Sequence, residues 1–302
     1  MDEKNINELV DLITKRVSER LGQMGCKDVR PDVSTSSCGQ NADSCNNCGQ
    51  CIANRPDAVN NIVSIGAARV GSSSGVTGNF DRQLAGMIDH TLLVPDATRE
   101  QLAKVCKEAM QYGFATVCVN ASNIPYVAQQ LKGSSVKPIA VVGFPLGAAT
   151  TQSKVFESKE AIRSGAQEID MVINIGALKD KDYQLVYEDI LKVVEASRPH
   201  KVKVIIETSK LSDEEKVIAC AISKAAQAAF VKTSTGFGGG GATVEDIALM
   251  RRVVGKDMEV KASGGVRTTE DALAMIKAGA NRIGASASVE IVTGKKVKAG
   301  NY

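Results

Sequence analysis

Tryptophan is absent from the 302-residue chain, and Phe and Tyr bring the aromatic content to only 4%. Neither sign of charge dominates, since 37 Lys and Arg stand against 34 Asp and Glu for a formal net charge of +3. No basic stripe is interleaved with aromatic rings, so a surface that tracks phosphates and stacks on bases is missing, and nucleic acid is excluded as a partner. Apolar runs of membrane-spanning length are missing too, and the N-terminus lacks the apolar core of a secretory signal. A soluble, cytoplasmic protein with no membrane partner is the expectation. What the chain does have is 43% hydrophobic residues, rich in Ala, Val, Ile and Gly. That composition suits buried parallel strands, and the length suffices for one large core and an appendage.

The eight cysteines are unevenly spread. Cys106, Cys118 and Cys220 sit in apolar context and read as small core residues in a reducing compartment. The other five lie within the first 51 residues. There, Ile6, Leu9, Val10, Ile13, Val17 and Leu21 recur at three- and four-residue steps, which predicts one amphipathic helix over residues 1–22. Asn5 with Glu8 suits its start and Gly22 its end. Residues 23–79, rich in Gly, Ser, Asn, Asp and Cys without a period, read as a Cys-rich flexible linker or a metal-stapled knot. Within it, Cys38, Cys45, Cys48 and Cys51 form C-x6-C-x2-C-x2-C. Four such thiolates suffice for a structural Zn²⁺ or an Fe–S cluster, with Cys38 or Cys26 as fourth ligand; redox-active or idle thiols are the other reading.

Beyond residue 80 the texture changes. Strand-like runs occur at 87–93, 115–120, 139–144, 168–174, 202–208, 228–234, 258–264 and 281–287, and helical segments such as Ala97–Met110, Glu157–Gly165, Asp182–Glu195, Asp213–Ala226, Val244–Val254 and Thr269–Ala278 separate them. Eight such alternations predict a (β/α)8 TIM barrel over residues 80–302. The rival, a doubly wound open sheet, lacks a GxGxxG turn after an early strand.

In a barrel, Lys203, Lys232 and Lys261 come from three consecutive strands and converge on one cavity. Ammonium groups held together depress one another's pKa, and a neutral lysine is a nucleophile toward carbonyl carbon. Asp170, on the preceding strand, supplies the balancing carboxylate, while Glu168 is expected to face outward to avoid crowding. Gly236, Gly264, Gly265 and Gly284 are read as following the sixth, seventh and eighth strands, with Ser263 and Ser286 beside them. Backbone N–H groups exposed in such turns bind phosphate. Schiff-base chemistry on a phosphorylated substrate is the reading that joins these features.

The order of IDHTLL (88–93), VCVN (117–120), VVGFPLG (141–147), EIDMVINIG (168–176), KVIIET (203–208), VKTSTGFG (231–238), VKASGGVRT (260–268) and RIGAS (282–286) resembles the deoxyribose-phosphate aldolase family of class I, Schiff-base aldolases. The resemblance covers residues 85–290. It implies reversible cleavage of 2-deoxy-D-ribose 5-phosphate, a phosphorylated sugar, to acetaldehyde and D-glyceraldehyde 3-phosphate without metal or organic cofactor. It also implies Lys232 as the imine lysine, Lys261 as the neighbour that lowers its pKa, and Asp170 as proton relay with Lys203 beside it. Gly236, Gly264, Gly265, Gly284 and Ser286 would hold the phosphate, and a homodimer or higher homo-oligomer is expected. Tyr302 resembles a terminal tyrosine that assists proton transfer in some members. Ala121, where members often have Pro, and Ala287, where many have Ser, depart from the pattern.

The first eighty residues fall outside that resemblance. A short amphipathic helix and small-residue linker are similar to the peptides that dock enzymes on a bacterial microcompartment shell protein. Packing of the helix on the enzyme's own barrel or on its dimer partner is the alternative. For the whole chain, the competing reading is a catalytically weak barrel kept as an assembly component.

Overall fold

The computed structural model describes residues 80–294, together with Leu12, Lys15, Arg16 and Glu19. These four positions are helical and exposed, and Lys15 lies 4.0 Å from Glu19 one turn on. The rest of the helix over 1–22, the linker 23–79 with Cys38, Cys45, Cys48 and Cys51, and Tyr302 lie outside the described residues.

Eight parallel strands close into a barrel in chain order. They are β1 (Ile88–Leu92), β2 (Thr116–Asn120), β3 (Lys137–Val142), β4 (Glu168–Val172), β5 (Lys201–Ile205), β6 (Phe230–Lys232), β7 (Glu259–Ser263) and β8 (Arg282–Ala285). Each lies within or close to the run that predicts it, and β8 pairs with β1 to seal the ring. Successive residues point to opposite faces, so the wall sorts the sequence in two. Outward go Ile169, Met171, Val202, Val204, Val231, Val260, Ala262 and Ile283, all buried under the helices. Inward go Asp89, Glu168, Asp170, Lys203, Lys232, Lys261 and Arg282 on one side, and Cys118, Ile139 and Val141, packed with Leu93 and Phe144, on the other.

The main helices start where their caps lie. Thr98, Ser212 and Thr268 form capping boxes with Gln101, Glu215 and Asp271, opening Arg99–Tyr112, Asp213–Ala225 and Thr269–Ala278. Each such cap contributes about 1 kcal/mol. Two short helices, Ile124–Gln130 and Ile175–Lys179, escape periodicity because neither is long enough to show a stripe. Among the described residues no helix is long and apolar enough to cross a membrane.

The helix Thr151–Arg163 begins six residues before the expected Glu157, and its hidden first turn has a cause. Its buried position is filled by a charge: Lys154, fully buried, donates to Val172 O at 2.9 Å and to Asp189 Oδ2 at 2.5 Å. The pair ties this helix to Tyr183–Ser197 behind β4. Its Coulomb gain barely offsets the desolvation of both ions, but a lone buried carboxylate has no such offset. Lys154→Met should therefore cost about 3–5 kcal/mol in urea unfolding, and Lys154→Met with Asp189→Asn distinctly less. Equal losses in the single and double variants would remove the pair from its structural role.

Candidate active site

Asp170 sits mid-strand in β4 and is inaccessible to water. Its Oδ2 accepts from Lys232 Nζ at 2.9 Å and from Lys261 Nζ at 2.8 Å, and its Oδ1 accepts from Lys203 Nζ at 3.1 Å. The three lysines expected to converge do so, on one carboxylate. Strand register makes this possible: Asp170 pairs with Lys203, and Lys232 with Lys261, across parallel neighbours.

The lysines are not equivalent. Lys261 has a second carboxylate, Asp89 Oδ2, at 2.5 Å. Lys203 has a second one too, donating to Glu168 Oε2. Among the described residues, Lys232, at the C-terminal tip of β6, has only its share of Asp170. Burial lowers the pKa of Lys232, Lys261 adds like-charge repulsion, and Asp170 offsets only part of this, so the group titrates below an ordinary lysine. Burial acts against Lys261 as well, but Asp170 and Asp89 together raise it above the ordinary range. Lys203 is likewise raised against its burial, by Asp170, Asp89 and Glu168. Burial would raise Asp170, yet the three lysines hold it well below the usual carboxylate range. The arrangement is one neutralisable amine beside two fixed cations.

Two expectations are corrected here. Glu168 faces inward, 1% exposed, because residues two apart share a face and the barrel stacks them in depth rather than crowding them. Gly284 lies within β8 rather than in a turn after it. A Cβ there would stand 2.2 Å from Ser263 Oγ and 2.9 Å from Lys261 Cε, so this glycine makes room for both Ser263 and Lys261.

The residues that sequence reasoning missed complete the cluster. Asp89 accepts from Thr116 Oγ1 at 2.7 Å and from Arg282 at 2.8 Å, and Arg282 lies 3.7 Å from Glu168. The available signal was the one that exposed Asp170, a charge inside an apolar strand, here in IDHTLL and RIGAS. Cys118 is buried as expected, and burial pushes its thiol up to about 11.

At the mouth, the β6 loop is pinned by Glu207, whose Oε2 accepts from Thr235 N at 3.2 Å and Thr235 Oγ1 at 2.5 Å. Glu207 is a non-glycine residue at φ 56°, ψ 66°, a conformation costing about 1–3 kcal/mol. Gly264, at φ +88°, is the close-approach glycine: a Cβ would meet Gly241 Cα at 3.0 Å, and its carbonyl accepts from Ala242 N at 2.9 Å. Gly265 and Gly236 lie exposed in the turns after β7 and β6, and Ser286 lies exposed just after β8. Between them, the buried hydroxyls of Ser234 and Ser263 have no hydrogen-bond partner among the described residues. Phe144 and Phe237 meet edge to face, with ring centroids 5.4 Å apart. Among the described residues no cluster of His, Cys, Asp or Glu is arranged to hold a metal ion.

The family profile of the DeoC/LacD family aldolases matches residues 84–297. A deoxyribose-phosphate aldolase of Clostridium perfringens is 61% identical over 215 residues, covering 71% of this chain and 96% of its own. One from Streptococcus sanguinis is 60% identical over 215 residues, covering 71% and 97%. Among solved structures, a putative deoxyribose-phosphate aldolase from Coccidioides immitis superposes with TM-score 0.70 at 40% identity, over 80% of this chain and 98% of that one. A tetrameric deoxyribose phosphate aldolase from Aeropyrum pernix gives 0.66 at 32% identity, over 70% and 90%.

Gly284→Ala tests the packing around Lys261. A displacement of about 1 Å in a reacting constellation costs about a hundredfold in rate, so kcat should fall by that order while circular dichroism shows a folded barrel. Unchanged kcat would mean that Lys261 does not need the space.

Proposed function

The chain belongs to the DeoC/LacD family of aldolases, and from that footing we propose how its residues carry out the reversible cleavage of 2-deoxy-D-ribose 5-phosphate to acetaldehyde and D-glyceraldehyde 3-phosphate. The observation that carries the reading is the convergence of Lys232 and Lys261 on one oxygen of the buried Asp170, at 2.9 and 2.8 Å, with Lys261 tied to a second carboxylate and Lys232 at the mouth of the barrel.

Lys232 Nζ, neutral, attacks the C1 aldehyde of the open-chain sugar, and loss of water gives the iminium. The C3 hydroxyl then gives up its proton, the C2–C3 bond breaks, and its electron pair enters the enamine on C1–C2. Glyceraldehyde 3-phosphate leaves. Protonation at C2 and hydrolysis of the iminium release acetaldehyde and restore Lys232. Asp170 is within hydrogen-bond distance of both Lys232 and Lys261, so it passes protons through a water between them, while Lys203 keeps its other oxygen occupied. The lysine acts as its own electron sink, and no metal or organic cofactor is required by these steps.

The phosphate is assigned to Gly236, Gly264, Gly265 and Ser286 with the free hydroxyls of Ser234 and Ser263, all at the C-terminal ends of β6 to β8. The departure at Ala287 removes one hydroxyl from that cradle. Homo-oligomerisation is supported by the tetrameric relative. Three further assignments rest on sequence alone: Tyr302 as a proton-transfer aid, the Cys38–Cys51 cluster as a structural metal or Fe–S site, and the N-terminal helix as a docking element for a microcompartment shell protein. The inert-scaffold reading is disfavoured by the complete set of Lys232, Lys261 and Asp170.

Retro-aldol cleavage measured against pH tests the assignment. Only neutral Lys232 attacks, so the rate should rise with pH through a midpoint below the ordinary lysine value of 10.5. Lys232→Ala should lose at least about a thousandfold in kcat. Lys261→Met, which removes the neighbouring cation, should shift the midpoint upward. Activity retained in Lys232→Ala would overturn the mechanism, and a wild type inactive on this sugar phosphate would favour the scaffold.

A further inference from the structure

The charges inside the barrel do not balance. The inward cations are Lys203, Lys232, Lys261 and Arg282; the inward anions are Asp89, Glu168 and Asp170. Every anion is engaged twice or more. Asp89 meets Lys261 and Arg282, Glu168 meets Lys203 and approaches Arg282, and Asp170 meets three lysines. Among the described residues the cations are engaged unequally, because Lys203, Lys261 and Arg282 each reach two carboxylates and Lys232 reaches one. One proton too many is therefore held in a water-poor interior, and the least compensated cation is the one to shed it.

Depth separates the parts. Lys232 ends β6 at the catalytic mouth, whereas Arg282 and Glu168 open β8 and β4 at the opposite end. Arg282, 14% exposed, therefore contributes the surplus charge from the closed end of the barrel.

We propose that Arg282 is a positioning residue for the imine chemistry, its charge against Glu168 and Asp89 deciding that Lys232 is the lysine that works neutral. This rests on the assignment of Lys232 as the imine lysine. The titratable and charged groups around Lys232 come from every strand that carries one inward. They are Asp89 from β1, Cys118 from β2, Glu168 and Asp170 from β4, Lys203 from β5, Lys261 from β7 and Arg282 from β8. Lys137 from β3, half-exposed at the far rim, also approaches Glu168, at 3.7 Å, and Lys201 and Glu259 stand half-exposed beside that rim, screened by water; the buried Glu207, beyond β5, is turned to Thr235. With Arg282 charged, neutral Lys232 leaves three cations on three anions. With Arg282 uncharged, it is protonated Lys232 that brings the interior to three on three, and its proton is held more tightly.

The test follows the pH dependence of adduct formation at Lys232, using acetaldehyde with cyanoborohydride and peptide mass mapping on the full chain. Arg282→Gln should raise the midpoint by on the order of one pH unit, the size of one charge acting across the barrel at an effective dielectric of about 20. Arg282→Lys should restore it. So should Arg282→Gln with Glu168→Gln, which removes one charge of each sign and leaves one surplus cation again. A residue that only braced β8 would not be rescued by deleting a second ionic partner. An unchanged midpoint in folded Arg282→Gln, or a shift that neither companion variant reverses, would overturn the proposal. If Arg282→Gln does not fold, Glu168→Gln alone decides: it leaves the charge of Arg282 less compensated, so the midpoint at Lys232 should fall by a similar amount, and an unchanged or raised midpoint overturns the proposal. Absence of any adduct on Lys232 in the wild type would instead remove the assignment beneath it.

Discussion

One carboxylate inside a closed barrel anchors three ammonium groups, and the rest of the site is arranged around that constraint. Asp170 is fully buried, as are Lys203 and Lys261, and Lys232 is 3% exposed. Charges so far from water persist only when paired with good geometry, so the strands that carry them must keep their register to within one residue. A slip of β6 or β7 by one position would turn Lys232 or Lys261 out into the apolar layer beneath the helices. The charged cluster thus also fixes the alignment of strands β4 to β7.

The interior is divided. On the side of β2 and β3 it is apolar, with Cys118, Ile139 and Val141 against Leu93 and Phe144. On the side of β4 to β8 and β1 it is ionic. Lys232 stands between the two kinds of wall, and the proposed reaction uses both: an amine must lose a proton where the ionic side supplies fixed cations, and an enamine with a terminal methylene carbon must be kept from bulk water by the apolar side. Where the strands end, Glu207 is held in a strained conformation that fixes the start of the glycine-rich loop after β6. The stiff lower barrel and this pinned loop leave the turns after β6, β7 and β8 in a fixed relation to the amine.

Much of this was legible in the chain because barrels convert spacing into position. Lysines in three consecutive apolar runs have one place to meet, and Asp170 one strand earlier is the counter-charge they need. What stayed hidden has identifiable reasons. Glu168 was misread because crowding in a flat sheet is not crowding in a barrel, where alternate residues sit at different depths. Asp89 and Arg282 carry their charges inside runs read for their apolar neighbours. Gly284 has the look of a turn residue and is a clearance for Ser263 Oγ and Lys261 Cε, a matter of close contacts across strands that no pattern encodes. Lys154 hid the start of its helix by placing a charge on the buried face.

The most direct measurement of the central claim is borohydride reduction of the full-length protein in acetaldehyde, followed by mapping of the modified peptide. A single two-carbon adduct on Lys232, with Lys203 and Lys261 unmodified, is the result that three unequal lysines around Asp170 require. An adduct on Lys261, or none on a folded protein, would contradict the assignment of Lys232 as the amine that the barrel keeps neutral.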